Sequence, residues 1–111
     1  MSTDWLYQVF KYCLYYYGDG VQCRCTVYYD SFEAFVRRRN VASARTAERR
    51  LRELAQQGLL LRKPLGRTTV FWLTASACDK FKSWLELYRD TEEYKELVAH
   101  AAFLQNYRKT S

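Results

Sequence analysis

The chain has 111 residues and a mass of 13.3 kDa, enough for one compact domain with a modest core and too little for most multi-domain enzymes. With 49% hydrophobic, 27% charged and 17% aromatic residues, 4 Gly and 1 Pro, the composition excludes disordered, collagen-like and low-complexity chains. No stretch reaches the ~18 apolar residues of a membrane span, and Met1 to Asp4 lack the basic start of a signal peptide, so a soluble, cytoplasmic protein is expected.

Trp5, Leu6, Val9, Phe10, Cys13, Leu14 and Tyr17 fall on one broad stripe at a period of 3.6, which predicts a first helix capped by Ser2 or Thr3 and stopped at Gly18, Asp19 and Gly20. Val21, Cys23, Cys25, Val27 and Tyr29 then alternate with Gln22, Arg24, Thr26 and Tyr28, the period of a half-buried strand. Asp30 with Glu33 is a capping-box signature. It predicts a second helix from Ser31 to about Arg39, with Phe32, Phe35 and Val36 inward and Asn40 closing it in the left-handed conformation. Ser43 caps a third helix that runs to Gln57 and stops at Gly58, its buried stripe being Ala47, Leu51, Leu54 and Ala55.

Beyond Gly58 the period becomes that of strands. Leu59 to Lys63 and Thr68 to Leu73 are expected to form a hairpin about a turn through Pro64, Leu65, Gly66 and Arg67. Thr74 caps a fourth helix carrying Phe81, Trp84, Leu85 and Tyr88. Asp90 with Glu93 opens a fifth, with Tyr94, Leu97, Val98, Ala101 and Leu104 on one face; a single continuous helix of about 30 residues is the alternative.

The charge is concentrated. Between Arg37 and Arg67 stand ten basic residues against Glu48 and Glu53, a balance of +8, so the rest of the chain carries −2 of the net +6. Nine of the ten are Arg, whose planar fork suits phosphate and guanine, and the cluster points to a polyanion-binding surface. With Leu51 inward, a rotation of 100° per residue turns Arg49 away by about 160°, Thr46 by about 140°, Arg45 by about 120°, and Arg50 and Arg52 by about 100°. Arg49 with Glu53, four residues apart, also fits an ordinary surface pair.

Two helices joined by a short turn, the second capped by Ser and followed by a hairpin, form a helix-turn-helix with a wing. The run from Ser43 to Leu54 followed by Gly58-Leu59-Leu60 resembles the recognition helix and exit turn of winged helix-turn-helix transcriptional regulators, and Gly66 to Thr74 is similar to their wing and third strand. The resemblance covers about Ser31 to Lys82; the strand between the first two helices is longer than the family's short first strand. It implies a mainly α fold with a small β component: a three-helix core, a β-hairpin wing and C-terminal helices. Residues 1–74 would be the DNA-binding domain and 75–111 a helical extension for dimerisation.

The function implied is sequence-specific binding of double-stranded DNA by a dimeric regulator. Ser43, Arg45, Thr46 and Arg49 would face base edges, Arg50 and Arg52 phosphates, and Arg62, Lys63 and Arg67 the backbone or minor groove, with Arg38 and Arg39 on the same basic surface. Phe81, Trp84, Leu85, Tyr88, Tyr94, Leu97 and Val98 exceed what a small winged domain needs for its own packing and are expected to pair two copies. A protein- or RNA-binding module, or a packaging protein without sequence preference, is the competing class.

Other chemistry has little footing. Cys13, Cys23, Cys25 and Cys78 contain no C-x-x-C pair and His100 is the single histidine, so neither a metal nor a cofactor is expected. Cys23 and Cys25 are read as small buried hydrophobes on one strand face, with a disulfide to Cys13 or Cys78 open if the source is a hyperthermophile. Small size and tyrosine richness fit an archaeal or viral source. No glycine loop, histidine pair or carboxylate dyad at diagnostic spacing suggests an enzyme. Tyr15, Tyr16, Tyr17, Tyr28 and Tyr29 are expected in the core or an interface rather than stacked on bases, and His100 at the surface or an interface.

Overall fold

The computed structural model describes residues 4–110, and of residues 21, 22 and 108–110 the backbone course alone. In chain order these form helix α1 (Trp5–Tyr17), a 3-10 segment (Asp19–Arg24), strand β1 (Thr26–Tyr28), helices α2 (Tyr29–Arg38) and α3 (Ala44–Gln56), strands β2 (Leu60–Leu65) and β3 (Thr68–Leu73), and helices α4 (Ala75–Tyr88) and α5 (Glu92–Thr110). The fold is mainly helical with a small antiparallel sheet of order β1-β3-β2. Among the described residues, no helix is long and apolar enough to cross a membrane.

Helix α1 is the centre of the core, because its stripe of Leu6, Val9, Phe10, Cys13 and Leu14 is buried against every other layer. Its cap is Asp4, whose carboxylate accepts from the Leu6 N–H at 3.0 Å; the expected caps Ser2 and Thr3 lie outside the described residues. Gly18 ends the helix with φ 81°, a conformation open to glycine and strained for other residues.

The segment after Gly18 departs from the sequence reading. The alternation over Val21 to Tyr29 predicts a strand, but the chain forms a 3-10 segment and then only three residues of β-structure. Two disulfides override the pattern. Cys13–Cys25 ties the segment to α1 and Cys23–Cys78 ties it to α4, so two cysteines expected on one strand face are drawn to different helices. What remains of the strand is held by α1 and β3. Tyr17 donates its hydroxyl to the Thr26 carbonyl at 3.1 Å, the Tyr28 N–H donates to the Tyr12 hydroxyl at 3.4 Å, and the Trp72 indole donates to Thr26 Oγ1 at 3.1 Å.

Helix α2 starts two residues early, with Tyr28 at its cap making no side-chain bond, so Asp30 sits inside the first turn rather than capping it. Asn40 is left-handed with φ 58°, and the Val41 N–H reaches back to the Val36 carbonyl at 2.9 Å, which closes α2 and turns the chain into α3. Ser43 caps α3 by accepting from the Thr46 N–H. Ala47, Leu51 and Leu54 are buried, and Leu51→Ala would cost about 2–5 kcal/mol. Gly58 at φ 79° ends α3, with the Leu59 N–H bonded to the Leu54 carbonyl at 3.0 Å.

The hairpin turns through Gly66 and Arg67 alone, with Gly66 at φ 62°. Pro64, expected in the turn, lies instead in β2, paired with Thr69 at a sheet edge where its missing N–H costs no ladder bond. Thr74 caps α4, accepting from the Ala77 N–H, and its hydroxyl donates to the Gly58 carbonyl at 2.8 Å.

The fourth and fifth helices are separate, and Thr91 rather than Asp90 receives the Tyr94 N–H, at 3.1 Å. Helix α5 lies along α1: His100 stacks on the Tyr15 ring at 3.6 Å, and Ala101 sits opposite Gly18. This corrects the reading of the C-terminal stripe. Phe81, Leu85 and Leu97, expected to meet a second copy, are buried in the chain's own core, Phe81 stacking on Phe10 at 4.4 Å. Trp84, Tyr88, Tyr94 and Val98 pack on the edge of that core. Tyr15, Tyr16, Tyr17 and Tyr29 are partly buried against it as well, while Tyr28 is exposed.

Candidate nucleic-acid interface

Helix α3 presents its charged side because its leucines fix its rotation. With Leu51 and Leu54 buried, Arg45, Glu48, Arg49, Arg52, Glu53 and Gln56 line one outward surface. Its amino end carries no acid, although the helix dipole favours one there, and Arg45 stands in the first turn instead. A cation at that end is unfavourable by about 0.3–1 kcal/mol in the free protein, a cost that an external anion would offset.

The charges sort into paired and unpaired groups. Arg50 bonds Glu53 at 2.9 Å and Arg52 bonds Glu48 at 2.7 Å, so Glu53 takes Arg50 and not Arg49. Among the described residues, Arg45, Arg49, Arg62 and Arg67 make no ion pair or side-chain hydrogen bond. Ser43 is committed to its helix: its oxygen accepts from the Thr46 N–H and its proton goes to Thr46 Oγ1 at 3.2 Å, which leaves it no donor for a ligand.

The hairpin extends this surface. In the register of β2 on β3, Arg62 lies opposite Phe71 on the face turned toward α3, and Arg62 and Arg67 meet Arg52 and Glu48 in a cleft closed by Tyr29, Asp30, Thr68 and Thr69. The cations therefore run continuously from Arg45 and Arg49 across Arg52 to Arg62 and Arg67. Tyr29, Asp30 and the two threonines are cleft residues that the charge count misses, Thr69 lying opposite Pro64 in a register that the expected turn through Pro64 does not give. Burial and then the carboxylates of Glu48, Glu33 and Asp30 hold the Tyr29 phenol above its ordinary value, so it enters the cleft as a neutral donor.

Three expected site residues stand elsewhere. Lys63 alternates to the opposite sheet face, its ammonium 5.3 Å from the centre of the Trp72 ring. Arg39 turns to α5, where it pairs with Glu93; Lys11 binds the same carboxylate at 2.9 Å and the Tyr88 hydroxyl donates to it. Burial alone would raise the Glu93 carboxyl, but the bonds from Tyr88 and Lys11 and the charges of Lys11 and Arg39 outweigh it and hold the group below its ordinary value. Arg39 is thus a structural cation. Arg38 is exposed and close enough to Tyr16 for its charge to oppose the burial that raises that phenol.

Among the described residues, no group of three or more His, Cys, Asp or Glu side chains could hold a metal ion. No family model matches the chain, and no curated protein or solved structure matches it either. What the surface does is therefore inferred from its residues.

Proposed function

We propose that this chain is a winged helix-turn-helix protein that binds double-stranded DNA in a sequence-specific manner, as a homodimeric transcriptional regulator. The observation that carries the reading is the run of arginines in which the unpaired Arg45 and Arg49 on α3 connect through Arg52 to the unpaired Arg62 and Arg67 on the hairpin. The element order supports it. A helix, a short strand, two helices joined by a tight turn and a hairpin follow one another, and the one departure noted from the family, a long first strand, is gone because β1 has three residues.

In this reading α3 enters the major groove amino end first. Arg45, Thr46 and Arg49 face base edges, where an Arg fork matches the O6 and N7 acceptors of guanine. Arg52, Arg62 and Arg67 meet phosphates beside it, Arg52 exchanging its bond to Glu48 for a phosphate oxygen, and the neutral Tyr29 hydroxyl adds a donor. Neutralised phosphates release counterions, which supplies the sequence-independent part of the affinity. A cytoplasm is the site of action this implies, and two disulfides persist there chiefly in hyperthermophiles.

A gel shift with random duplex, single-stranded DNA and RNA of equal length tests the proposal. The expected result is a shift of the duplex within roughly 1–100 µM protein near physiological salt. A chain that leaves duplex unbound there, or prefers either single strand, is not a duplex-binding protein.

A further inference from the structure

The hairpin carries apolar side chains that the body of the protein does not cover. Every residue of β2 after Leu60 is exposed, and no atom lies within 4 Å of where a side chain on Gly66 would begin, so the tip projects clear of the other elements. Pro64 and Leu65 end β2 at that tip, and Leu65 is 53% exposed. From Gly58 to Thr74 the sequence has the cations Arg62, Lys63 and Arg67 and no acid. A surface that buries Leu65 must therefore also accept positive charge. A nucleic-acid duplex offers both, with phosphates outside and apolar base faces within the stack.

The side on which Leu65 stands agrees with this. Strand alternation puts Leu65 with Leu61 and Lys63 on the sheet face opposite Arg62, while Arg67 turns back to the cleft beside α3. With α3 in the major groove and Arg52, Arg62 and Arg67 on the phosphates beside it, Leu65 lies beyond those phosphates, over the next minor groove. Two strands about 4.8 Å apart, with their side chains, are too broad for a minor groove about 6 Å wide. The tip enters where the groove is opened, and an apolar side chain pressed between two base pairs opens it, unstacking the step and kinking the duplex toward the major groove. That direction closes the duplex around α3, and the phosphates drawn onto Arg52 and Arg62 offset the cost of unstacking.

We infer that the hairpin tip is a DNA-bending wedge: Leu65, with Pro64 beside it, enters a base step from the minor groove and kinks the duplex around α3. This rests on the duplex binding proposed above and adds a distortion that phosphate contact alone does not require. Unstacking is easiest at pyrimidine–purine steps, so the wedge adds a preference for TA or CA at a position that no hydrogen bond reads.

The test uses the full chain at saturating concentration and a duplex of about 20 base pairs that carries donor and acceptor dyes at its two ends and several TA steps with 2-aminopurine at their adenines. The expected result is an end-to-end approach equal to a bend of about 20–90°, together with a severalfold rise of 2-aminopurine emission. Leu65→Ala, at a half-exposed position, should keep the helical circular dichroism and the melting temperature, hold the duplex within about threefold in a gel shift, and lose both signals. Leu65→Met, which keeps an apolar wedge, should retain them. A bound duplex that stays straight or stays stacked, or a Leu65→Ala protein that bends it as the natural chain does, overturns the wedge and leaves duplex binding standing. A chain that does not shift the duplex overturns the duplex-binding reading, and the wedge with it.

Discussion

The disulfides close loops of very different length, which makes their removal a quantitative test of what holds the segment after Gly18. Cys13 and Cys25 are 12 residues apart and Cys23 and Cys78 are 55 apart. On chain entropy alone, the shorter loop stabilises the fold by about 3 kcal/mol and the longer by about 4 kcal/mol at 25 °C. For a domain of this size each kcal/mol moves the melting temperature by roughly 4 °C. Cys23→Ala/Cys78→Ala should therefore melt about 16 °C below the oxidised protein and Cys13→Ala/Cys25→Ala about 12 °C below it. Alanine is the replacement because Cys13 and Cys25 are fully buried and serine would place a hydroxyl there without water. The cavity left by those two sulfurs adds to their loss and narrows the gap between the variants. Differential scanning calorimetry with and without reductant measures all three proteins. A drop below about 4 °C for the Cys23/Cys78 variant, or an undiminished response of that variant to reductant, would refute the assignment of the long loop as the larger staple.

Other consequences follow from the charges and the phenols. Each protomer meets phosphates through Arg52, Arg62 and Arg67, so log K against log salt should fall with a slope of about −3 per protomer; a flat dependence contradicts phosphate contact. Arg62→Ala and Arg67→Ala should each weaken random and selected duplexes by the same factor, roughly three- to tenfold by titration, because a phosphate contact carries no sequence information. Burial raises the Tyr12 and Tyr88 phenols well above their ordinary 10.0, with Glu93 adding to the rise at Tyr88. The unfolded chain ionises these groups first, so their stabilising effect is complete below pH ~10 and is lost as pH rises beyond it. Urea unfolding between pH ~8 and ~11 should show that decline, and Tyr12→Phe should flatten it.

The helices were legible because each carries one unbroken apolar stripe and a cap. Ala47, Leu51 and Leu54 together fix the rotation of α3, and the same rotation turns Arg45 and Arg49 outward. The 3-10 segment was not legible, since the alternation of Val21, Cys23, Cys25 and Val27 has the period of a strand while the covalent partners of the two cysteines lie on different helices. Position along the chain also misplaced two cations. Arg39 counts with the basic segment, yet the end of α2 carries it to Glu93 on α5, 54 residues away. Lys63 neighbours Arg62 in sequence and faces away from it across the sheet, which strand alternation alone could have shown. The C-terminal aromatic stripe needs a cover, but a sequence does not say which surface provides it. Here α1 is apolar on enough of its circumference to take α4 and α5 as well as α2.

Selection from a library of random duplexes, run in parallel on the natural chain and on Arg45→Ala/Arg49→Ala, bears most directly on the role of α3. The natural chain should enrich one motif, with guanine at the positions the two arginines reach and half-sites about one helical turn apart. The double variant should still hold duplex at low salt and enrich nothing. Enrichment of the same motif by both proteins, or of none by either, would contradict base reading by this helix.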